Sequence, residues 1–220
     1  MTTGAASLEV RGLFKRFGGL IATNGLDLRV EAGEAHALIG PNGAGKSTVI
    51  AQLAGELRPD AGSIFVGGAE VTRLSVPERV RHGLARSYQV TSILPSFTAL
   101  ENLATAVQIR DGHSFRFWRD ARRDPRLNEP AMEMLEDVGL GYRGLVPAED
   151  LAHGEQRQLE LAMALATKPR VLLLDEPMAG LGQAESEAMT ALLARLKRQV
   201  TILLVEHDMD AVFALADRIT

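Results

Sequence analysis

Apolar and polar residues alternate, imperfectly, over Leu8–Phe17 and Leu26–Val30, the period-two pattern of half-buried strands. Glu31–Glu34 reads as a turn, and the short apolar stretch Ala35–Ile39 as a strand entering a glycine-rich loop. A helix is expected from about Lys46 to Ala54, then a turn at Pro59–Gly62 and a strand at Ser63–Val66. From about Gln89 to Asp150 the character changes to helical patterns at Ala99–Gln108 and Glu129–Val138, with few strand signals. The alternation then resumes: helix Glu155–Ala166, strand Val171–Leu174, helix Ala184–Arg198, strand Val200–Val205 and a helix from near Met209. Met189, Leu192, Leu193 and Leu196 recur at helical spacing and form a core-facing stripe. Strands alternating with helices predict a mostly parallel sheet covered on both faces. The expected division is a core of residues 1–88 and 151–220 around an all-helical insertion of about 89–150. Ala216–Thr220 reads as the start of another strand, so the chain is expected to be truncated there.

A length of 220 residues suits one large α/β domain or a core with a subdomain. With 24 Lys+Arg against 28 Asp+Glu the net charge is −4, which argues against a nucleic-acid-coating protein. The absence of cysteine excludes disulfides, thiolate metal sites and a Cys nucleophile. The N-terminus has neither a basic start nor an apolar stretch, so no secretory signal is read. The apolar runs fall far short of the ~20 residues that span a bilayer. A cytoplasmic protein, touching a membrane only through a partner, is expected.

Two stretches carry chemistry. Gly40-Pro41-Asn42-Gly43-Ala44-Gly45-Lys46-Ser47 matches G-x-x-x-x-G-K-[ST] between a strand and a helix. Glycines let backbone N–H groups turn inward around phosphates, and the helix N-terminus adds a favourable dipole. Lys46 is expected to reach the β- and γ-phosphates and the Ser47 hydroxyl to ligate Mg²⁺. The second stretch, Val171–Glu176, is an apolar strand ending in two acids at the sheet edge where ligands of open α/β sheets bind. There Asp175 would serve the Mg²⁺ shell and Glu176 would polarise an attacking water.

The loop GPNGAGKST, Gln89 after a short strand, LAHGEQRQLELA, LLLDEP and Val205-Glu206-His207-Asp208, in this order, resemble an ATP-binding cassette (ABC) ATPase over essentially the whole chain. The resemblance implies an α/β fold: a P-loop NTPase (RecA-like) core with an antiparallel β subdomain and an inserted all-helical subdomain. It implies ATP and Mg²⁺ as ligands. Phe17 resembles the aromatic that stacks on adenine, and Thr48 the residue that binds the α-phosphate. Gln89 is similar to the hinge glutamine that reaches Mg²⁺ or water, and His207 to the histidine contacting the γ-phosphate. Leu151–Gln156 corresponds to the signature segment, which serves the nucleotide of a second subunit stacked head to tail. Ala152, His153, Gly154, Glu155 and Gln156 are therefore expected to act in trans, and half a site is completed by another chain. The implied partners are a second ATPase subunit, integral membrane permease subunits and, indirectly, a substrate-binding receptor, with no nucleic acid. Such a subunit is peripheral on the inner face of the cell membrane.

Three positions depart from the family pattern: Ala152 and His153 replace the usual Ser-Gly, and Gly182 stands where an Asp is common. His153 could supply the donor that Ala152 lacks. Glu101–Leu103, Gly112–Glu129 and Met178–Gly182 resemble the ATP-binding subunit of branched-chain amino acid importers. A urea or amide importer and a lipid or lipopolysaccharide transport ATPase are the alternatives. A non-hydrolysing nucleotide sensor would explain Ala152 and Gly182 but not the intact Glu176 and His207.

Overall fold

The computed structural model describes residues 6–87, 93–110 and 124–220. These form two compact units, one from the described residues within 1–86 and 169–220, the other from those within 87–168.

In the first unit, strands β1 (Leu8–Phe17), β2 (Leu20–Val30), β4 (Ala61–Val66) and β5 (Ala69–Glu70) build an antiparallel sheet in the order β2-β1-β4-β5. Strand β2 begins six residues earlier than the alternation predicts. The Gly18–Gly19 turn folds the chain back so that Phe17 faces Leu20 and Arg16 faces Ile21. Register breaks along β1 then let the polar stretch around Thr23 join the ladder.

A second sheet has the order β6-β7-β8-β3-β9, with β3 (Ala35–Leu38), β6 (Leu84–Ser87), β7 (Val171–Asp175), β8 (Thr201–Val205) and β9 (Arg218–Ile219). The β7–β8, β8–β3 and β3–β9 pairings are all parallel. Every residue of β3, β7 and β8 is buried, which is why Val171–Leu174 and Ile202–Val205 read as apolar runs rather than alternations. Helix α1 (Lys46–Ala54) packs against both β2 and β7 and seats Val49, Ile50 and Leu53 in a core shared with Leu13, Ile64, Leu173 and Leu203. Helices α6 (Gln183–Leu196) and α7 (Met209–Leu215) pack on each other, and the Met189–Leu196 stripe is buried as expected.

One short helix, α2 (Val76–Arg81), is absent from the pattern reading, although Ser75 and Glu78 form a capping box with Pro77 in the first turn. It delivers Arg79, only 2% exposed, to the C-terminal end of α1. The guanidinium donates to the carbonyls of Gln52 (2.7 Å), Leu53 (2.6 Å), Thr72 (2.8 Å) and Leu74 (3.1 Å). Two of these belong to the last turn of α1, whose carbonyls lack the full bonding of the helix interior; the Gln52 carbonyl also accepts from the Gly55 amide at 3.3 Å. Burial lowers the Arg79 pKa, yet no other side chain offers five donors in so rigid a fork. Arg79→Ala should therefore destabilise the fold by about 3 kcal/mol or more, since charged hydrogen bonds are lost and carbonyls stay buried. A denaturant midpoint within error of the parent would contradict this.

The second unit is helical: α3 (Ala99–Arg110), α4 (Pro125–Asp137) and α5 (His153–Ala166), with 3₁₀ turns at Gly141–Arg143 and Ala148–Asp150. Helix α5, which the sequence division assigned to the core, groups with this unit because it packs on α3 and α4. Gln89 and residues 112–123 of the Gly112–Glu129 stretch lie outside the described residues. No described helix is long and apolar enough to cross a membrane.

Candidate functional site

A cleft of about 520 Å³ opens in the first unit where β1, β2 and α1 meet the ends of β7 and β8. It gathers Phe17, Asn42, Gly43, Gly45, Lys46, Ser47, Thr48, Glu176 and His207, all singled out in the sequence, together with Leu20, Ile21 and Ala22. Gly40, Pro41 and Ala44 complete the loop without lining the cleft. Phe17, Leu20 and Ile21 form an apolar wall, with Phe17 48% exposed and open to a flat partner. The Lys15 ammonium lies 5.5 Å from the Phe17 ring centroid and is held there by the Asp60 carboxylate and the Arg58 carbonyl.

The glycine loop is shaped by sterics as much as by sequence. Gly45 has φ +90°, and a Cβ there would lie 2.1 Å from the carbonyl oxygen of Ala22. The loop is thus pressed against β2, and only glycine fits. No side chain caps α1, so its first-turn amides face the cleft end of the helix without intrahelical acceptors. Lys46 Nζ folds over the loop and donates to the carbonyls of Gly40 (2.7 Å) and Pro41 (3.0 Å).

At the end of β7, Asp175 is 2% exposed. One carboxylate oxygen accepts from Arg86 (3.0 Å), while Oδ1 is buried with no hydrogen-bond partner among the described residues. Burial pushes the Asp175 pKa up, with a further push from Glu176, and Arg86 offsets only part of this. An added cation would relieve both the orphaned oxygen and the burial cost. Glu176 follows with φ +51°, a sparsely populated region for a residue with a side chain. Its amide donates to the Val205 carbonyl at 2.8 Å, fixing this backbone against β8. Its carboxylate meets His207 Nε2 at 2.8 Å. The strain and the pair together bring the ends of two parallel strands to one point, where the sheet binds ligands.

The signature segment opens α5 in the second unit. Glu155 accepts from the Ala152 amide (2.9 Å), Arg143 (2.8 Å) and Tyr142 (3.0 Å). Burial alone would raise the Glu155 pKa, but the bonds from Arg143, the Ala152 amide and Tyr142 outweigh it and hold it below the ordinary carboxylate range. Gln156 donates to the carbonyls of Ala148 (3.0 Å) and Leu151 (3.3 Å). Both side chains are therefore engaged in fixing the start of the helix. Ala152 and His153 are exposed, Gly154 is buried, and no side chain caps the N-terminus.

Besides Leu20, Ile21 and Ala22, two charged residues of the site have roles that the sequence did not assign. Arg86, before the helical insertion, pairs with Asp175 and with Glu56. Glu206, 4% exposed, accepts backbone hydrogen bonds from both loops flanking the Glu176–His207 pair. An acid directly after the apolar run Ile202–Val205 was the available signal for Glu206.

A parallel α/β core with a glycine loop between β3 and α1, in a chain that also holds an antiparallel sheet and a helical unit, is the ATP-binding cassette architecture. The chain belongs to the ABC transporter family, whose profile matches residues 23–179, and it is an ATPase of that family. The high-affinity branched-chain amino acid transport ATP-binding protein BraF of Pseudomonas aeruginosa is 41% identical, over 96% of this chain and 86% of its own. LivG of Escherichia coli, of the same description, is 38% identical with the same coverage. The crystal structure of an ATP-binding cassette of an ABC transporter in its ADP conformation superimposes with a TM-score of 0.86 at 29% identity, covering 96% of this chain and 85% of that one. The fold expected from the sequence resemblance is thus the fold found.

Proposed function

We propose that this chain drives uptake of branched-chain amino acids, hydrolysing ATP as one of two cassette subunits beneath a membrane permease. The observation that carries the substrate assignment is the similarity, over nearly the whole chain, to BraF and LivG, both described as branched-chain amino acid transport proteins. The ribose import protein RbsA of Bacillus cereus is 33% identical, and the chain spans only 42% of it.

In this reading Phe17 stacks on adenine and the Gly40–Thr48 loop surrounds the phosphates, with Thr48 at the α-phosphate. Lys46 exchanges the Gly40 and Pro41 carbonyls for β- and γ-phosphate oxygens, a charge-assisted replacement of neutral acceptors. Ser47 and Asp175, with Gln89, would hold Mg²⁺; the buried Asp175 Oδ1, without a hydrogen-bond partner among the described residues, fits that role. Bound there, the ion would offset charge on the β- and γ-phosphates. Glu176 accepts a proton from water as its oxygen bonds to the γ-phosphorus and the bridging β-oxygen leaves, giving ADP and phosphate. His207 orients Glu176 and the γ-phosphate. The second subunit contributes its Ala152–Gln156 segment, with Gly154 allowing close approach, the uncapped amides of α5 facing phosphate oxygens and His153 as a further donor. Glu155 and Gln156 act by fixing that segment.

The test is ATP turnover by this chain assembled with its permease and second ATPase subunit, in vesicles carrying the substrate-binding receptor. Leucine, isoleucine or valine should raise turnover several-fold, whereas urea and lipid should not. Stimulation by urea alone would move the assignment to the alternative importer.

A further inference from the structure

Glu206 is the one acid of the site that faces neither the cleft nor another side chain in the hydrogen bonds described. It sits between β8 and His207, and its carboxylate is buried. Oε1 accepts from the amide of Met178 at 2.9 Å. Oε2 accepts from the amides of His207 at 2.8 Å and Asp208 at 3.3 Å. Met178 lies two residues beyond Glu176, so one carboxylate ties the loop leaving β7 to the loop leaving β8. The Glu176–His207 contact of 2.8 Å is the span between those loops.

We infer that Glu206 is a positioning residue for hydrolysis, clamping the Glu176 and His207 loops together so that the two side chains share one site. The inference rests on the reading that Glu176 and His207 act at the γ-phosphate. Three amide donors converging on one carboxylate make charge-assisted bonds, stronger than neutral ones and fixed in direction. No other ionisable side chain has the same reach. Asp is one methylene too short to engage both loops. Gln is isosteric but carries one acceptor oxygen, so its NH₂ must face either the Met178 amide or the pair from His207 and Asp208. Each replacement releases one side of the clamp while leaving Lys46 and the phosphate loop untouched. The strained backbone of Glu176, with φ +51°, is held from both ends by this arrangement: its own amide bonds to Val205 and the Met178 amide to Glu206.

Glu206→Gln should lower kcat by on the order of 10- to 100-fold, the scale of a small misplacement at a reacting centre. Affinity for ATP should stay within about twofold, because the phosphate loop is not part of the clamp. A purely structural role would instead lower the melting temperature and weaken nucleotide binding together. Amide hydrogen exchange gives an independent readout: Met178 and His207 should exchange faster in the variant while the α1 amides do not change. In a His207→Ala background, where only residual turnover is left to measure, the Glu206→Gln effect on kcat should be smaller than in the parent, since one of the two side chains aligned by the clamp is gone. Full turnover in Glu206→Gln, alongside lost turnover in Glu176→Gln and His207→Ala, would overturn the inference alone. Full turnover in all three would overturn the catalytic reading and the inference with it. Additive losses in the double variant would also overturn it.

Discussion

Glu176→Gln should bind ATP yet turn it over at least ~100-fold more slowly, as expected when a general base loses its acceptor. The substitution preserves shape, so the φ +51° backbone, the amide bond to Val205 and a hydrogen bond to His207 can all persist. What it removes is the ability to take a proton from water. Because ATP then remains bound, the variant should accumulate a head-to-tail dimer: nucleotide held at one phosphate loop offers its γ-phosphate to the partner's α5 N-terminus. Ligand-dependent association follows from differential affinity, since only the ATP-loaded loop presents the full set of phosphate charges. Sedimentation with and without ATP reads the second effect and steady-state phosphate release the first. Unchanged turnover would remove Glu176 from the mechanism, and a dimer of the same mass in both conditions would remove nucleotide from the association.

The elements legible in the sequence are those whose burial is one-sided or total. β7 and β8 are buried on both faces and read as apolar runs; α6 reads through its Met189–Leu196 stripe. The phosphate loop was legible for a different reason, because its glycines meet backbone constraints that local sequence records. Where the determinant lies in distant chain, the pattern fails. The first half of β2 carries Thr23, Asn24 and Gly25 and gains its place by pairing with an irregular β1. Thr23 is buried because Gln52 of α1 accepts its hydroxyl, a partner 29 residues away. Nothing local marks Arg79 as buried, since its four acceptors come from two other segments. Glu206 looked like part of a His-Asp motif, because its ligands are backbone amides and leave no side-chain trace. The same logic covers α5: its helical period was plain, but the choice between core and helical unit depends on packing against α3 and α4.

Gly45→Ala should abolish tight nucleotide binding, with a loss of at least ~100-fold in affinity, equivalent to about 3 kcal/mol. Two costs combine. A non-glycine residue at φ +90° is strained by roughly 1–2 kcal/mol. The added methyl would also lie 2.1 Å from the Ala22 carbonyl oxygen, and that atom is backbone in a paired strand, unable to swing aside. The loop must therefore lift from β2, which turns the α1 amides and Lys46 away from the phosphate position. Gly43 provides the control, with φ +82° but no atom within 4 Å of an added Cβ. Gly43→Ala bears the backbone strain without the collision, so its loss should be about tenfold. Fluorescent-nucleotide titration of the two variants measures the difference. Equal losses would mean that dihedral strain alone governs the loop, and a Gly45→Ala affinity within twofold of the parent would show that contact with β2 does not shape the phosphate site.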